Sequence, residues 1–526
     1  MKTAVAPVSS LPPVAPVRAP DERPARRRST LRLFAVLLLL TAALRTSAFV
    51  VDVFNSDESF LGAQAEVINH GGKLYEEAAD RKPPLVPYLY AATFALFGTT
   101  ALWSVRVLAM LAVALTALFL ALEARRRYGN RAAWIAGVLM VLASVAFAPQ
   151  DGQAANFEIF MLPSMTAAVL LARRGRAFSS GAAVALATLT KQTGAATLLP
   201  VLYLVWRQRG RRGVANAFGG FTLPLTLVAL LVGPGELLFW TTIGNGSYLG
   251  ISGQWGLVLL TLVLMTAAFA VVNLPIVWTL PRAWRERRTA GSGDTDLWLW
   301  LLSAALSVAV GLRFFGHYYL QLLPPLVLIT TGVLVRSSGR AVKRTVALAA
   351  GIAVIAAGLG FLVRPFNEKA QYKTVSQYLK QRAGPEDRIL VWGHVPEIYW
   401  ASGKRPATRF LTSGFLSGWE PGRPGNDANV KDATPGAWEL FFEDFATHPP
   451  TYILDTAYSG IRGAQYYTIA RYSALARIVY RDYDYVESVD GIGIYKRRAD
   501  APQPLTPPET VDRSLAAQTS GHGSEW

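Results

Sequence analysis

Apolar runs recur along this chain at close to the length, about 20 residues, that a helix needs to cross a hydrocarbon core. They are Leu31–Val51, Ala101–Leu122, Ala132–Ala148, Phe157–Ala172, Ser179–Trp206, Val214–Val232, Gly256–Leu280, Leu297–Gly311, Tyr318–Val335 and Val346–Leu362. Most carry no charge and show no polar face, unlike the amphipathic helices of a soluble core. Ser179–Trp206 is read as two short helices broken near Lys191-Gln192-Thr193-Gly194, because a charge at such a turn calls for a water-filled cavity. Pro84–Phe97 is apolar but short and reads as a helix lying in the interface. The pattern predicts an all-α polytopic membrane domain of about eleven spans.

Past Arg364 the pattern changes. Asn367–Arg382 reads as an amphipathic helix stopped by Gly384-Pro385. Arg388–Trp392 and Tyr452–Leu454 read as buried strands, Trp438–Thr447 as a helix, and Ile478–Tyr485 with Ile492–Tyr495 as a closing strand pair. The expected organisation is a disordered cytoplasmic tail (1–30), a transmembrane domain (31–364), a small extracytoplasmic α/β domain (365–498) and a disordered tail (499–526).

Composition supports the membrane reading: 52% of the 526 residues are hydrophobic and 17% charged, against about 25% charged in soluble domains. The net charge of +17 could point to nucleic acid, but its placement does not. Arg26–Arg28, Arg125–Arg127, Arg173–Arg176, Arg207–Arg212, Arg282–Arg288 and Arg336–Arg344 lie between apolar runs, as cytoplasmic loops do. With the eleven spans as drawn, all six clusters fall on one side, which puts the N-terminus in the cytoplasm and the α/β domain outside. There is no cysteine, which excludes disulfides, thiolate metal sites and a cysteine nucleophile.

The chemistry-bearing stretch is the first outer loop, with Ser56-Asp57-Glu58, then Gly71-Gly72-Lys73-Leu74-Tyr75, then Asp80-Arg81-Lys82-Pro83-Pro84-Leu85. A carboxylate at the membrane surface can act as a base toward a hydroxyl, and Lys or Arg nearby can hold a phosphate. Solvated loop charges are the plainer alternative. Glu58 either pairs with Lys73, caps a helix or supports Asp57.

These motifs resemble the membrane glycosyltransferases of the GT-C fold, in the branch of the protein O-mannosyltransferases and lipid A aminoarabinose transferases (glycosyltransferase family 39-like). The resemblance extends to the acidic stretch Gln150–Met161 with Asp151 and Glu158, to Lys191-Gln192-Thr193-Gly194, and to Arg313-Phe314-Phe315-Gly316-His317-Tyr318-Tyr319 before Leu323-Pro324-Pro325. It implies a polyprenyl-phosphate sugar as donor, Asp57 as the base in an inverting transfer, and Glu58, Glu158 and Asp151 as supporting acids. Lys82, with Arg81 or Arg313, would neutralise the departing phosphate. Tyr75, Lys191, Gln192, His317 and Tyr318 are candidate donor or acceptor contacts. The acceptor would be a lipid, glycan or protein.

Arg313 also fits a snorkelling anchor, and His317 a hydrogen-bonded interface residue. A divalent metal is left open, since His317 has no second histidine near it in sequence. Among the aromatics Trp240, Tyr248, Trp255, Trp392, Trp400 and Trp419, Tyr248 lies in a loop, Gly244–Gly256, whose glycines suit a gate over the donor. Gly491-Ile492-Gly493 lacks the rest of a dinucleotide fingerprint. The rival readings are a transporter or flippase, which also uses broken helices and intramembrane charge, and an idle assembly protein.

Overall fold

In the computed structural model, which describes residues 22–98, 102–245, 254–290, 293–363, 371–419 and 430–502, the expected apolar runs are helices. The first are α1 (Glu22–Leu44), α2 (Ser56–Asn69), α3 (Leu85–Phe97), α4 (Leu102–Tyr128) and α5 (Asn130–Ala146). Phe157–Arg173, Ala177–Thr190, Leu198–Val232, Trp255–Val272, Thr295–Val310, Leu323–Val335 and Gly339–Gly360 follow. Among the described residues, five segments are long and apolar enough to cross a membrane by length and composition: Leu102–Tyr128, Gln192–Val232, Trp255–Val272, Gly316–Val335 and Gly339–Gly360. The chain is thus a multi-pass membrane protein. Several of the other expected spans form helices of 14 to 17 residues.

Two boundaries differ from the sequence reading and one agrees. α1 ends at Leu44 rather than Val51, because the chain turns inward at Arg45, which is buried, and continues as a 3-10 turn over Thr46–Phe49. Ser179–Trp206 does break at Lys191, whose backbone is extended (φ −154°, ψ 138°). The next two expected helices instead run on from Leu198 to Val232, bent at Gly210 (φ 56°, ψ −143°).

Small residues set the tightest helix crossing. A Cβ on Gly181 would lie 1.9 Å from the Ala217 carbonyl oxygen, and one on Gly220 2.0 Å from that of Phe178. Lipid gives helices no hydrophobic reason to associate, so close backbone approach supplies the van der Waals contact. Leu223, Leu227, Leu230 and Leu231, with Val263 and Leu264, point outward and exposed, a face suited to hydrocarbon.

α4 joins two buried polar layers. Arg106 near its start and Arg127 near its end stand about 30 Å apart at the helical rise, close to the thickness of a hydrocarbon core. Arg127 binds Glu123 at 2.6 Å and also pairs with Asp296, which takes a second bond from Arg173 at 2.6 Å. Arg127 and Arg173, expected as loop charges, are thus tied into one ion-pair network.

The C-terminal domain is a five-stranded mixed sheet in the order β2-β1-β3-β5-β4. The strands are β1 (Arg388–Trp392), β2 (Arg405–Pro406), β3 (Tyr452–Asp455), β4 (Tyr483–Val489) and β5 (Ile492–Arg497), with helices Gln371–Arg382, Ala437–Thr447 and Ser473–Asp482. One expectation fails here: residues 478–482 are helical, not strand. Leu475 and Val479, one helical turn apart, are both fully buried, and that spacing serves a helix face. β4 turns into β5 through Asp490 and Gly491, both at positive φ (49° and 82°), the geometry of a tight hairpin turn.

The two parts are in direct contact. Ala79 N donates to Arg409 O at 2.8 Å, and Trp240 packs its ring against Phe410 and Phe415. Trp240 is therefore buried at the junction, while Trp255 is exposed and Trp392, Trp400 and Trp419 lie in the core.

Candidate active site

The site begins at the N-terminus of α2. The Asn55 side chain accepts from Asp57 N at 3.1 Å and Glu58 N at 3.3 Å, so both carboxylates fall in the first helical turn, where the helix dipole favours negative charge. Their side chains then diverge. Glu58 is fully buried and accepts from Arg106 at 2.7 and 3.0 Å, from Phe54 N at 2.9 Å and from Ala155 N at 2.9 Å. Arg106 also donates to the carbonyls of Ala48, Val51 and Asp52. Glu58 thus binds the segments around Phe54 and Ala155 to α4. Neither the Lys73 pair nor the cap foreseen for it forms: Lys73 pairs with Glu76, and Asn55 is the cap. Arg106 was missed in the sequence, although an ionisable residue inside an apolar run is itself a signal.

Asp57 keeps 23% of its side chain exposed and meets Lys82 Nζ at 3.1 Å. Burial raises its carboxyl, but the charges of Lys82 and His317 outweigh that and hold it at about 2. Lys82 also lies 4.2 Å from the centroid of the Phe157 ring. Its backbone is fixed from behind, with Lys82 N donating to Asp80 Oδ1 at 3.1 Å and Lys82 O accepting from Tyr75 at 2.8 Å. Gln64 donates to Asp80 Oδ2 at 3.1 Å. Burial pushes the Asp80 carboxyl up to about 6, against the pull of Lys82 and Gln64.

The remaining wall comes from the stretch with Asp151 and Glu158, from Lys191 and from the segment before Leu323–Val335. Lys191, at the helix break, pairs with the buried Glu158 and stands 3.9 Å above the Tyr318 ring. His317 Nδ1 lies 2.8 Å from Asp151 Oδ1, while its Nε2 faces Asp57 Oδ2 at 3.8 Å and Glu158 Oε1 at 4.0 Å. Gly316 permits this approach, since a Cβ there would lie 2.5 Å from Asp151 Oδ2. The backbone around the cluster is strained, with Tyr75, Ala148, Leu312 and Phe314 all at positive φ (74°, 46°, 52° and 52°). Non-glycine residues adopt this region at a cost and collect at functional sites.

Asp57, Lys82, Asp151, Glu158, Lys191, His317 and Tyr318, spread over 261 positions of sequence by their numbering, therefore form one cluster. Other candidates stand elsewhere. Arg81 donates to Thr434 at 3.2 Å and packs over the Phe415 ring, so it faces the C-terminal domain. Tyr75 is fully buried and supports the Lys82 carbonyl. Gln192 gives its amide to the carbonyls of Arg81 and Thr241. Arg313 is half-buried beside the strained turn. Tyr248 lies outside the described residues.

A divalent metal does not fit the side chains as they stand. Asp57, Asp151 and Glu158 already face Lys82, His317 and Lys191, and no group of three or more His, Asp or Glu among the described residues is disposed to hold an ion.

Residues 81–235 match the family model for dolichyl-phosphate-mannose-protein mannosyltransferase. That segment contains Lys82, Asp151, Glu158 and Lys191. No curated protein matches the chain by sequence. Among solved structures, ArnT from Cupriavidus metallidurans bound to undecaprenyl phosphate aligns over 90% of this chain and 99% of its own, with 17% identity and a TM-score of 0.59. The apo state of the same protein gives 16% identity and a TM-score of 0.60 over 91% of this chain and 100% of its own. The Archaeoglobus fulgidus oligosaccharyltransferase aligns over 89% of this chain and 74% of its own, with 13% identity and a TM-score of 0.52. At these identities the likeness shows a shared fold.

Proposed function

We propose that this chain is a glycosyltransferase that moves a sugar from a polyprenyl-phosphate donor to a hydroxyl of a lipid, glycan or protein acceptor, with inversion, at the outer face of the cytoplasmic membrane. The observation that carries the reading is the partly exposed Asp57–Lys82 pair at 3.1 Å inside a strained, charge-rich cluster. The fold and the family match over 81–235 support it. In this reading residues 31–364 form the catalytic domain of eleven spans, with the N-terminus cytoplasmic and residues 365–498 outside.

Lys82 gives the pair its logic. A polyprenyl-phosphate sugar is a phosphodiester with one negative charge, and the leaving polyprenyl phosphate carries about two at neutral pH. As the C1–O bond breaks, its electron pair goes to the phosphate, and Lys82 holds the added charge. Donor phosphate drawing Lys82 away also uncovers the Asp57 carboxylate, which then becomes a stronger base than its resting state allows. Asp57 takes the proton of the acceptor hydroxyl as the new C1–O bond forms on the opposite face. Asp151 holds the ring of His317, and the Glu158–Lys191 pair fixes the wall in which the sugar sits. No step needs a metal.

The test is transfer of labelled sugar from polyprenyl-phosphate donors in membranes, wild type against Asp57→Asn. Loss of transfer with expression and donor binding retained supports the reading. If no such donor binds or turns over, the transporter reading replaces it; full activity in the variant moves the base elsewhere.

A further inference from the structure

The first outer loop and the C-terminal domain enclose a cleft at the other end of α2, where Val67 stands about 15 Å along the helix from Asp57. Arg388, Arg405, Thr408 and Arg409 form its C-terminal-domain wall. Arg388 and Arg405 are register partners on the parallel pair β1–β2, which puts two cations side by side on one face. Like charges directly opposite each other destabilise a sheet. Arg388 donates to the Pro406 carbonyl at 3.0 Å and feels the charges of Glu77, Asp444 and Glu386, while among the described residues Arg405 pairs with Glu386, 3.9 Å away and largely exposed.

The other charges in the cleft are mostly spent. Asp444 takes Arg409 N, Nε and Nη2 at 2.9, 2.8 and 2.7 Å. Glu76 pairs with Lys73 at 3.2 Å, and His70 turns to Glu66. Glu77 also lines the cleft, and its charge, with that of Asp444, acts on Arg388. Thr408 is 3% exposed, and its hydroxyl has no hydrogen-bond partner among the described residues, an arrangement that burial penalises. Burial, then Arg388, hold the His448 imidazole, which also lines the cleft, below its usual range.

We propose that this cleft is an oxyanion site that takes a phosphate or carboxylate group between the Arg388 and Arg405 guanidiniums, with the Thr408 hydroxyl donating to it. Planar guanidinium forks match such groups. The site does not depend on the reaction assigned to Asp57.

Inorganic phosphate is the probe, titrated into the full chain in neutral detergent and read as heat or as a shift in melting temperature. Saturable binding should persist in Lys82→Gln, whose cation belongs to the other site, and weaken at least about tenfold in R388Q/R405Q, given the worth of hydrogen bonds to charged groups. Nanodiscs containing phosphatidylglycerol in place of phosphatidylcholine separate the sources. Stabilisation by that lipid without added phosphate, lost in R388Q/R405Q, identifies a lipid headgroup; stabilisation by phosphate alone identifies a soluble ligand. Should the double variant not fold, Glu77→Gln decides, since removing that carboxylate must tighten phosphate binding. Binding that is absent, or equal with and without the arginines, or unchanged in Glu77→Gln, overturns the proposal.

Discussion

Arg106 donates from Nε and Nη2 to the two oxygens of Glu58, at 3.0 and 2.7 Å, in a pair with almost no exposure to solvent. The next residue toward the N-terminus, Asp57, keeps a solvent-facing side and meets Lys82. Two adjacent carboxylates thus do different work, one bracing the loops and the other partly exposed beside Lys82.

Substitution should separate them. Glu58→Ala leaves Arg106 buried without its partner and should cost about 3–5 kcal/mol, the usual consequence of breaking a buried pair. The readout is a lowered melting temperature and poor membrane yield. Asp57→Asn should keep the melting temperature near that of the wild type and lower transfer by at least about a hundredfold, the scale of a lost general base. If both variants lose stability alike, Asp57 is structural too.

Asp80 predicts a pH effect on stability. Its carboxyl is raised from 3.8 to about 6 in the folded chain, so between those values the folded state keeps a proton that the unfolded state has released. Stability should therefore fall as pH rises from about 4 to about 6, and then level off. Asp80→Asn should flatten that dependence. Gln64 Oε1, buried without a partner, can accept from the introduced amide if Gln64 flips. Melting temperatures at pH 5 and pH 8 measure it, and an unchanged difference in the variant would falsify the assignment. Asp57, held at about 2, contributes stability present above its unfolded pKa and lost as pH falls from about 4 through about 2, so it adds nothing to that window.

Lys191→Met should destabilise by stranding the buried Glu158 carboxylate. Adding Glu158→Gln should recover much of that loss without recovering transfer. A double-mutant cycle on melting temperature and rate gives the answer. Transfer that returns along with stability would mean the pair only supports the helix break.

Arg81→Ala should loosen the junction more than the donor site. Hydrogen exchange near Phe415 and Thr434 should rise, because the guanidinium contacts both. Donor affinity should change by less than about threefold, against at least about tenfold for Lys82→Ala, whose charge would hold the phosphate. The opposite ordering returns Arg81 to the phosphate.

What was legible in the sequence was whatever a local pattern encodes. Hydropathy and length located the helices, because a backbone in lipid must satisfy its own hydrogen bonds within each segment. A lone charge between two short apolar runs located the break at Lys191. Alternation and turn residues found β1, β3 and β5, but misread residues 478–482, where a helix and a strand compete for the same short apolar run. The loop motifs named most of the residues that cluster. What the sequence could not give is which partner each charge takes. Glu58 chose Arg106 over Lys73, Arg81 turned to Thr434 and Phe415, and His317 met Asp151 across 166 residues. Those pairings follow from how the loops are brought together by packing far from them, as at Gly181 and Gly220, and long-range packing leaves no local periodicity to read.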